Sequence, residues 1–313
     1  MNSSIAPRAP SPIVSVRPLV LPTPGRLEDL QLRLTAPVAG DGLPIVLLSH
    51  GHGPSNHLSS LDGYAPVAQY LAAHGFAVVQ PTHLDSKTLP YRESDHPDAP
   101  LFWRSRAEDM THILDHLDAI EDAFPTITGR LDRQRVAVLG HSMGGHTASV
   151  LLGARHRDPS GAILDVADPR IVAGALLAAP GRGEALSPFA ATRYPFFATI
   201  DLTTMTKPAL VIAGEKDGSA HLTTAGAAWH MDPFVLPPGP KSLVTLVDAE
   251  HGLGGIAGFD VAETTDESPA RVTVVLRLVA AYLRSALDPD DGSWERTTSE
   301  LADSKLIGRI ASK

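Results

Sequence analysis

Apolar residues along the chain fall into short runs separated by amphipathic stretches, and each run predicts an element. Residues 14–21 and 30–35 read as strands around a Pro/Gly turn at 22–25. The run 45–48 is wholly apolar and ends in Ser49-His50-Gly51-His52-Gly53. That is the pattern of a parallel strand, buried on both faces, entering a glycine-rich turn. A helix follows over 64–74, stopped at Gly75, then a strand over 76–80 closed by Pro81. Residues 104–124 carry Ile113, Leu117 and Ile120 at helical spacing and read as one long amphipathic helix. A strand at 135–139 runs into a helix of small residues at 144–154. Strands at 171–178, 209–213 and 243–247 and a helix at 269–286 complete the series.

This alternation predicts an α/β fold, a doubly wound and mostly parallel sheet with helices on both faces and right-handed crossovers. Residues 1–12, rich in Pro, Ser and Ala, read as a disordered tail. Residues 13–287 read as a single domain and the polar residues 288–313 as a peripheral tail. Residues 181–206 interrupt the strand order. They are rich in Gly, Pro and aromatics, and read as a small cap-like insertion over the face where strands end.

Composition narrows the function by exclusion. Of 313 residues, 43% are hydrophobic and 19% charged, ample for a large core. The net charge is −9 with Lys and Arg scattered, which leaves no electrostatic footprint for nucleic acid or an anionic membrane. The absence of cysteine removes thiolate chemistry, disulfides and Cys-ligated metals. No stretch approaches the roughly 18–20 apolar residues that span a bilayer. The first residues hold no apolar run of signal-peptide type, so the expected location is cytoplasmic, with secretion of a processed form left open.

The chemistry concentrates where strands end. Gly140-His141-Ser142-Met143-Gly144 is a G-x-S-x-G motif with a strand before it and a helix after it. The glycines leave room for a sharp strand-to-helix turn that lifts the Ser142 hydroxyl clear of the sheet, near the positive end of the helix. A serine hydroxyl needs a base to take its proton and an acid to hold that base in one tautomer. The strand 209–213 leads into Gly214-Glu215-Lys216-Asp217-Gly218, and 243–247 into Asp248-Ala249-Glu250-His251-Gly252. Asp217 is the expected acid, with Glu215 as the alternative, and His251 the expected base. The expected oxyanion donors are the backbone N–H groups of Met143 and His52, the latter in a loop freed by Gly51 and Gly53. Gly51, Phe196 and Phe197 are the candidate substrate-binding residues. The histidines at 50, 52, 57 and 83 with Asp85 offer a rival metal site, but Pro54 stands where a His-x-His-x-Asp-His set needs its aspartate. No metal or organic cofactor is expected.

The elbow Gly140-His-Ser-Met-Gly-Gly145, the strand-to-His-Gly loop at 45–53 and Ala73-His-Gly-Phe-Ala-Val-Val79 together resemble the α/β-hydrolase superfamily. The nearest likeness is to its dienelactone hydrolase, platelet-activating-factor acetylhydrolase, chlorophyllase and bacterial cutinase branch. The resemblance covers roughly residues 40–285. It departs from the dienelactone hydrolases, which use a cysteine nucleophile. It departs also from acetylhydrolases with an acid after the earlier strand, which here ends Leu177-Ala-Ala-Pro180, and from cutinases with a Trp-His pair where Pro180-Gly181 stands. The resemblance implies hydrolysis of a small-molecule carboxylic ester through an acyl-enzyme. An amidase or peptidase with the same triad, or a non-catalytic binding module, are the alternatives; oligomeric state is not legible.

Overall fold

The computed structural model describes residues 10–259 and 261–313. Two strands, β1 (Ile13–Leu21) and β2 (Leu30–Pro37), pair antiparallel. Then come β3 (Leu43–Ser49), α1 (Ala65–Ala73), β4 (Ala77–Pro81), α2 (Trp103–Asp115), α3 (Leu117–Ala123), β5 (Leu131–His141) and α4 (Met143–Leu151). A small hairpin, β6 (His156–Arg157) and β7 (Ile163–Leu164), precedes β8 (Ile171–Leu177), α5 (Pro188–Arg193), β9 (Ala209–Gly214) and α6 (Asp232–Val235). The chain closes with β10 (Lys241–Leu246), α7 (Pro269–Leu287), α8 (Ser293–Glu300) and β11 (Ile307–Ser312).

Nine strands form one sheet in the order β1-β2-β4-β3-β5-β8-β9-β10-β11. Every neighbouring pair from β4 to β10 is parallel, and the flanking pairs are antiparallel. The period of two along each strand divides the core between the faces. Ile45 and Leu47, Val136 and Val138, and Ala209 and Val211 face the side covered by α2, α3 and α4. Val46 and Leu48, Ala137 and Leu139, and Leu210 and Ile212 face the side covered by α1 and α7. Runs of apolar residues without alternation are what a sheet with two covered faces demands.

Two segments differ from their sequence reading. The single helix expected over 104–124 is α2 and α3, broken at His116, whose φ of −122° and ψ of 28° are not helical. Its N–H donates to Ile113 O at 3.2 Å, a tightened last turn, and Leu114, Leu117 and Ile120 stay buried across the break. No glycine or proline marks it. Residues 288–313, read as a peripheral tail, supply α8 and β11, and β11 hydrogen-bonds along β10 as an edge strand. Of the tail expected over 1–12, residues 1–9 lie outside the described residues, while the Ser11 N–H donates to Ala73 O (2.8 Å).

Candidate active site

The parallel strands deliver their following loops to one edge of the sheet, where ligands gather in open α/β folds. β5 passes into α4 through Ser142, whose φ of 54° and ψ of −118° belong to neither element. A non-glycine residue held there stores strain of about 1–3 kcal/mol and persists only when its surroundings dictate it. The surroundings are tight: a Cβ on Gly140 would collide with the Gly144 carbonyl, and one on Gly144 with the Ser49 carbonyl of β3. The Ser142 N–H donates to Leu177 O of β8 at 2.9 Å, pinning the elbow to the next strand.

His251 Nε2 lies 2.9 Å from Ser142 Oγ, and its Nδ1 lies 2.8 Å from Asp217 Oδ2. β9 and β10 are parallel neighbours, and the loops after them carry these two residues to the same place. Burial pushes the Asp217 carboxyl up, but contacts with His230 and His251 outweigh it and hold the group well below the usual carboxylate range. An ionised Asp217 makes Nδ1 the protonated nitrogen, so the Nε2 lone pair faces the serine hydroxyl. Glu215 lies beside Thr245 and Gly308, and Asp248 pairs with Lys216 at 2.7 Å on the surface, while it is Asp217 that meets His251.

The loop after β3 is held from behind. The Gly51 N–H donates to Tyr64 Oη (3.0 Å), and burial pushes that phenol up so that it keeps its proton. Tyr64 Oη donates in turn to His141 Nδ1 (2.7 Å), and His141 Nε2–H to the His251 carbonyl (2.8 Å). Burial first, then His251, pushes His141 down to about 3, consistent with a neutral ring carrying one proton. One hydrogen-bond chain thus ties the 50–53 loop to the loop of His251. With the Gly51 N–H engaged, the His52 N–H is the next donor in that loop, and Met143 occupies the first turn of α4, where N–H groups lack an intrahelical acceptor. The His52 ring turns to Asp85 (Nδ1 to Oδ2 2.9 Å), and Asp85 forms a wholly buried ion pair with Arg106. Arg106 also donates to the His50 carbonyl and to Thr147 Oγ1, linking the loop to α4. Asp266 braces the histidine loop, accepting from the Glu250 and Gly254 N–H groups at 2.9 and 3.1 Å.

A cavity of about 40 Å³ opens beside Ser142, lined by Gly51, His52, Leu58, His141, His251 and Ala257 among others. Gly51, one of the candidate substrate-binding residues, stands at its wall. Phe196 and Phe197 do not: they pack with Trp103, Met143 and His146, with ring centroids 6.0 Å apart for Trp103–Phe196 and 5.1 Å for His146–Phe197. A larger groove of about 750 Å³ near Arg26, Phe102 and Glu108 contains none of Ser142, Asp217 and His251.

No family model matches the chain. Over 159 residues it is 28% identical to platelet-activating factor acetylhydrolase of Cavia porcellus, covering 40% of this chain and 35% of that protein. Cutinase 1 of Thermobifida cellulosilytica is 30% identical over 166 residues, 50% of this chain and 53% of that protein. Cutinase est1 of Thermobifida alba is 28% identical over 149 residues, 44% of this chain and 43% of that protein. The chain thus spans about a third to a half of the length of these curated relatives. Sheet order and relatives agree. The chain has the α/β-hydrolase fold. These relatives are named as an acetylhydrolase and two cutinases. Among the described residues, no helix is long and apolar enough to cross a membrane.

The fold brings ligand-type atoms of Asp217, His230 and His251 within 4.8 Å of one another. A metal there would displace the proton between His251 Nδ1 and Asp217, and Nε2 would then carry the proton and point it at Ser142 Oγ. Such a ring could not accept the serine's proton, so the observed contacts favour a hydrogen-bonded set. The rival histidines are engaged too: His50 Nε2 accepts from the His83 N–H, and His83 bridges Ser49 and Asp109. Sequence reasoning missed Tyr64, Arg106 and His230, and placed Asp85 in the rival metal site rather than behind His52. They arrive from helices and loops without a motif, and His141 stood at a motif position that any residue is free to fill.

Proposed function

We propose that this chain is a serine esterase whose catalytic domain spans residues 13–313, with 181–206 as a packed flank of the site. Ser142 Oγ attacks the ester carbonyl while His251 Nε2 takes its proton. Asp217 keeps the ring in the Nδ1–H tautomer and stabilises the imidazolium that forms. The backbone N–H groups of His52 and Met143 receive the oxyanion, the alcohol leaves with the proton from His251, and water deacylates Ser142 with His251 again as base. The observation that carries this reading is the unbroken chain Ser142 Oγ–His251 Nε2 (2.9 Å) and His251 Nδ1–Asp217 Oδ2 (2.8 Å), built on a strained serine.

The size of the cavity supports a short acyl group. A water-sized group takes roughly 10–15 Å³ of such volume, so about 40 Å³ suits an acyl chain of two or three carbons. One relative is named for acetyl hydrolysis, which agrees. A fluorophosphonate probe should label the wild type and not Ser142→Ala. Turnover of p-nitrophenyl esters should be highest for acetate or propionate and fall with chain length. An unlabelled wild type would leave a binding module, equal labelling of Ser142→Ala would overturn the nucleophile, and faster cleavage of the matched amide would make it an amidase.

A further inference from the structure

Asp217 has a second histidine. His230 is buried between Trp229 and the loop after β9, and both of its ring nitrogens face oxygen. Nδ1 lies 2.9 Å from the Ala179 carbonyl, which only accepts, so Nδ1 carries a proton. Nε2 lies 3.2 Å from Asp217 Oδ1 and 3.2 Å from Ser219 Oγ. The one hydroxyl proton of Ser219 is directed to Asp217 Oδ1 at 2.7 Å. A bare Nε2 would therefore set its lone pair against two oxygens with no proton to share, in a site without water-like dielectric. A protonated Nε2 satisfies all three atoms.

We propose that His230 is a positioning residue that stands as an imidazolium beside Asp217, clamping Oδ1 while His251 takes Oδ2. The proposal rests on the esterase reading for its consequence, not for its geometry. The charged and titratable groups facing His230 are Asp217 after β9, His251 after β10, with ring centroids 5.5 Å from its own, His141 at the end of β5, and Asp232 of α6, itself 3.6 Å from Arg182. Two carboxylates against one arginine favour a cation there. Asp217, shared between two rings, stabilises a proton on His251 less than an unshared carboxylate would. On the esterase reading, a cation on the far side of Asp217 opposes a second one on His251, which a pH profile can measure.

The direct test is nitrogen NMR of the wild-type protein labelled at histidine, at pH 7. The expected spectrum has His230 with protons on both ring nitrogens; a neutral Nδ1–H ring at pH 7 would overturn the proposal. The functional test is the pH profile of kcat/KM for His230→Gln, which keeps a donor to Asp217 without the charge. Two unit charges at this separation interact strongly enough to move the acid limb up by on the order of one to two pH units. Near pH 5.5 the variant should lose about tenfold or more against wild type, and at pH 8 about threefold or less. An equal loss at every pH would reduce His230 to a structural brace and sink the idea. If Ser142→Ala retained its turnover, the esterase reading would fail alone, because the nitrogen spectrum does not depend on activity.

Discussion

At the scale of single residues, the site depends on which oxygen meets which nitrogen. On the proposed triad, Asp217→Asn removes the charge that keeps His251 in the Nδ1–H tautomer. It should lower turnover by about 10⁴ with little loss of stability, measured as kcat on a p-nitrophenyl ester. Glu215→Gln and Asp248→Asn should stay within about threefold of wild type, since one carboxyl lies beside Thr245 and the other pairs with Lys216 in solvent. Equal damage from Glu215→Gln would move the acid by two residues. The sequence made Ser142, Asp217 and His251 legible because each is a polar residue delivered by a strand whose apolar run is plain. Glu215 and Asp217 occupy the same loop, and only the fold of that loop separates them. His230 was not legible: it follows no strand, and its role exists only because the segment around Trp229 folds back onto the loop after β9.

At the scale of elements, the insertion 181–206 is better described by packing than by substrate contact. Phe197 is 4% exposed and sits against His146 and Tyr194, with Trp103 and Met143 in the same cluster. Phe197→Ala should cost about 3–5 kcal/mol, the usual range for deleting a buried ring, and lower the melting temperature. The ranking of ester chain lengths should not change; a changed ranking with an unchanged melting temperature would return the ring to the substrate pocket. The aromatic concentration in this segment was visible in the sequence. Which side of the insertion the rings would face was not, because that follows from where Trp103 and the helix after Ser142 meet. The break at His116 has the same origin, since hydrophobic spacing continues through it unchanged.

For the whole molecule, the distribution of buried histidines sets the response to acid. Burial is the leading cause that holds His141 down at about 3 and His156 at about 4, and it also lowers His50, His83 and His146. In the unfolded chain these rings titrate near 6.5. Between that value and their folded values the unfolded chain binds the extra protons. The stability these five rings contribute is therefore full above about pH 6.5 and is lost as the pH falls. Each ring adds a slope of about 1.4 kcal/mol per pH unit within its window. Asp109, pushed up to about 6 by burial, runs the other way, with one extra proton on the folded state between about pH 4 and 6. The five rings outweigh it. Thermal midpoints should be level from pH 8 to 7 and drop steeply below pH 6.5; a flat profile down to pH 5 would contradict this account.

The sequence by itself determined the doubly wound sheet and the elbow. Their physics is local: apolar runs without alternation need two covered faces, and a turn with a serine at positive φ needs glycine where backbones touch. It also determined which loops bring Ser142, Asp217 and His251 together, because parallel strands end at one edge. Only the tertiary structure decided the second layer: Tyr64 and His141 tying two loops together, Arg106 and Asp85 behind His52, and His230 against Asp217. These pairs join residues far apart in the chain through single hydrogen bonds. Such contacts leave no periodicity, since a buried polar atom needs a partner at the right distance and direction and not at any particular place in the sequence.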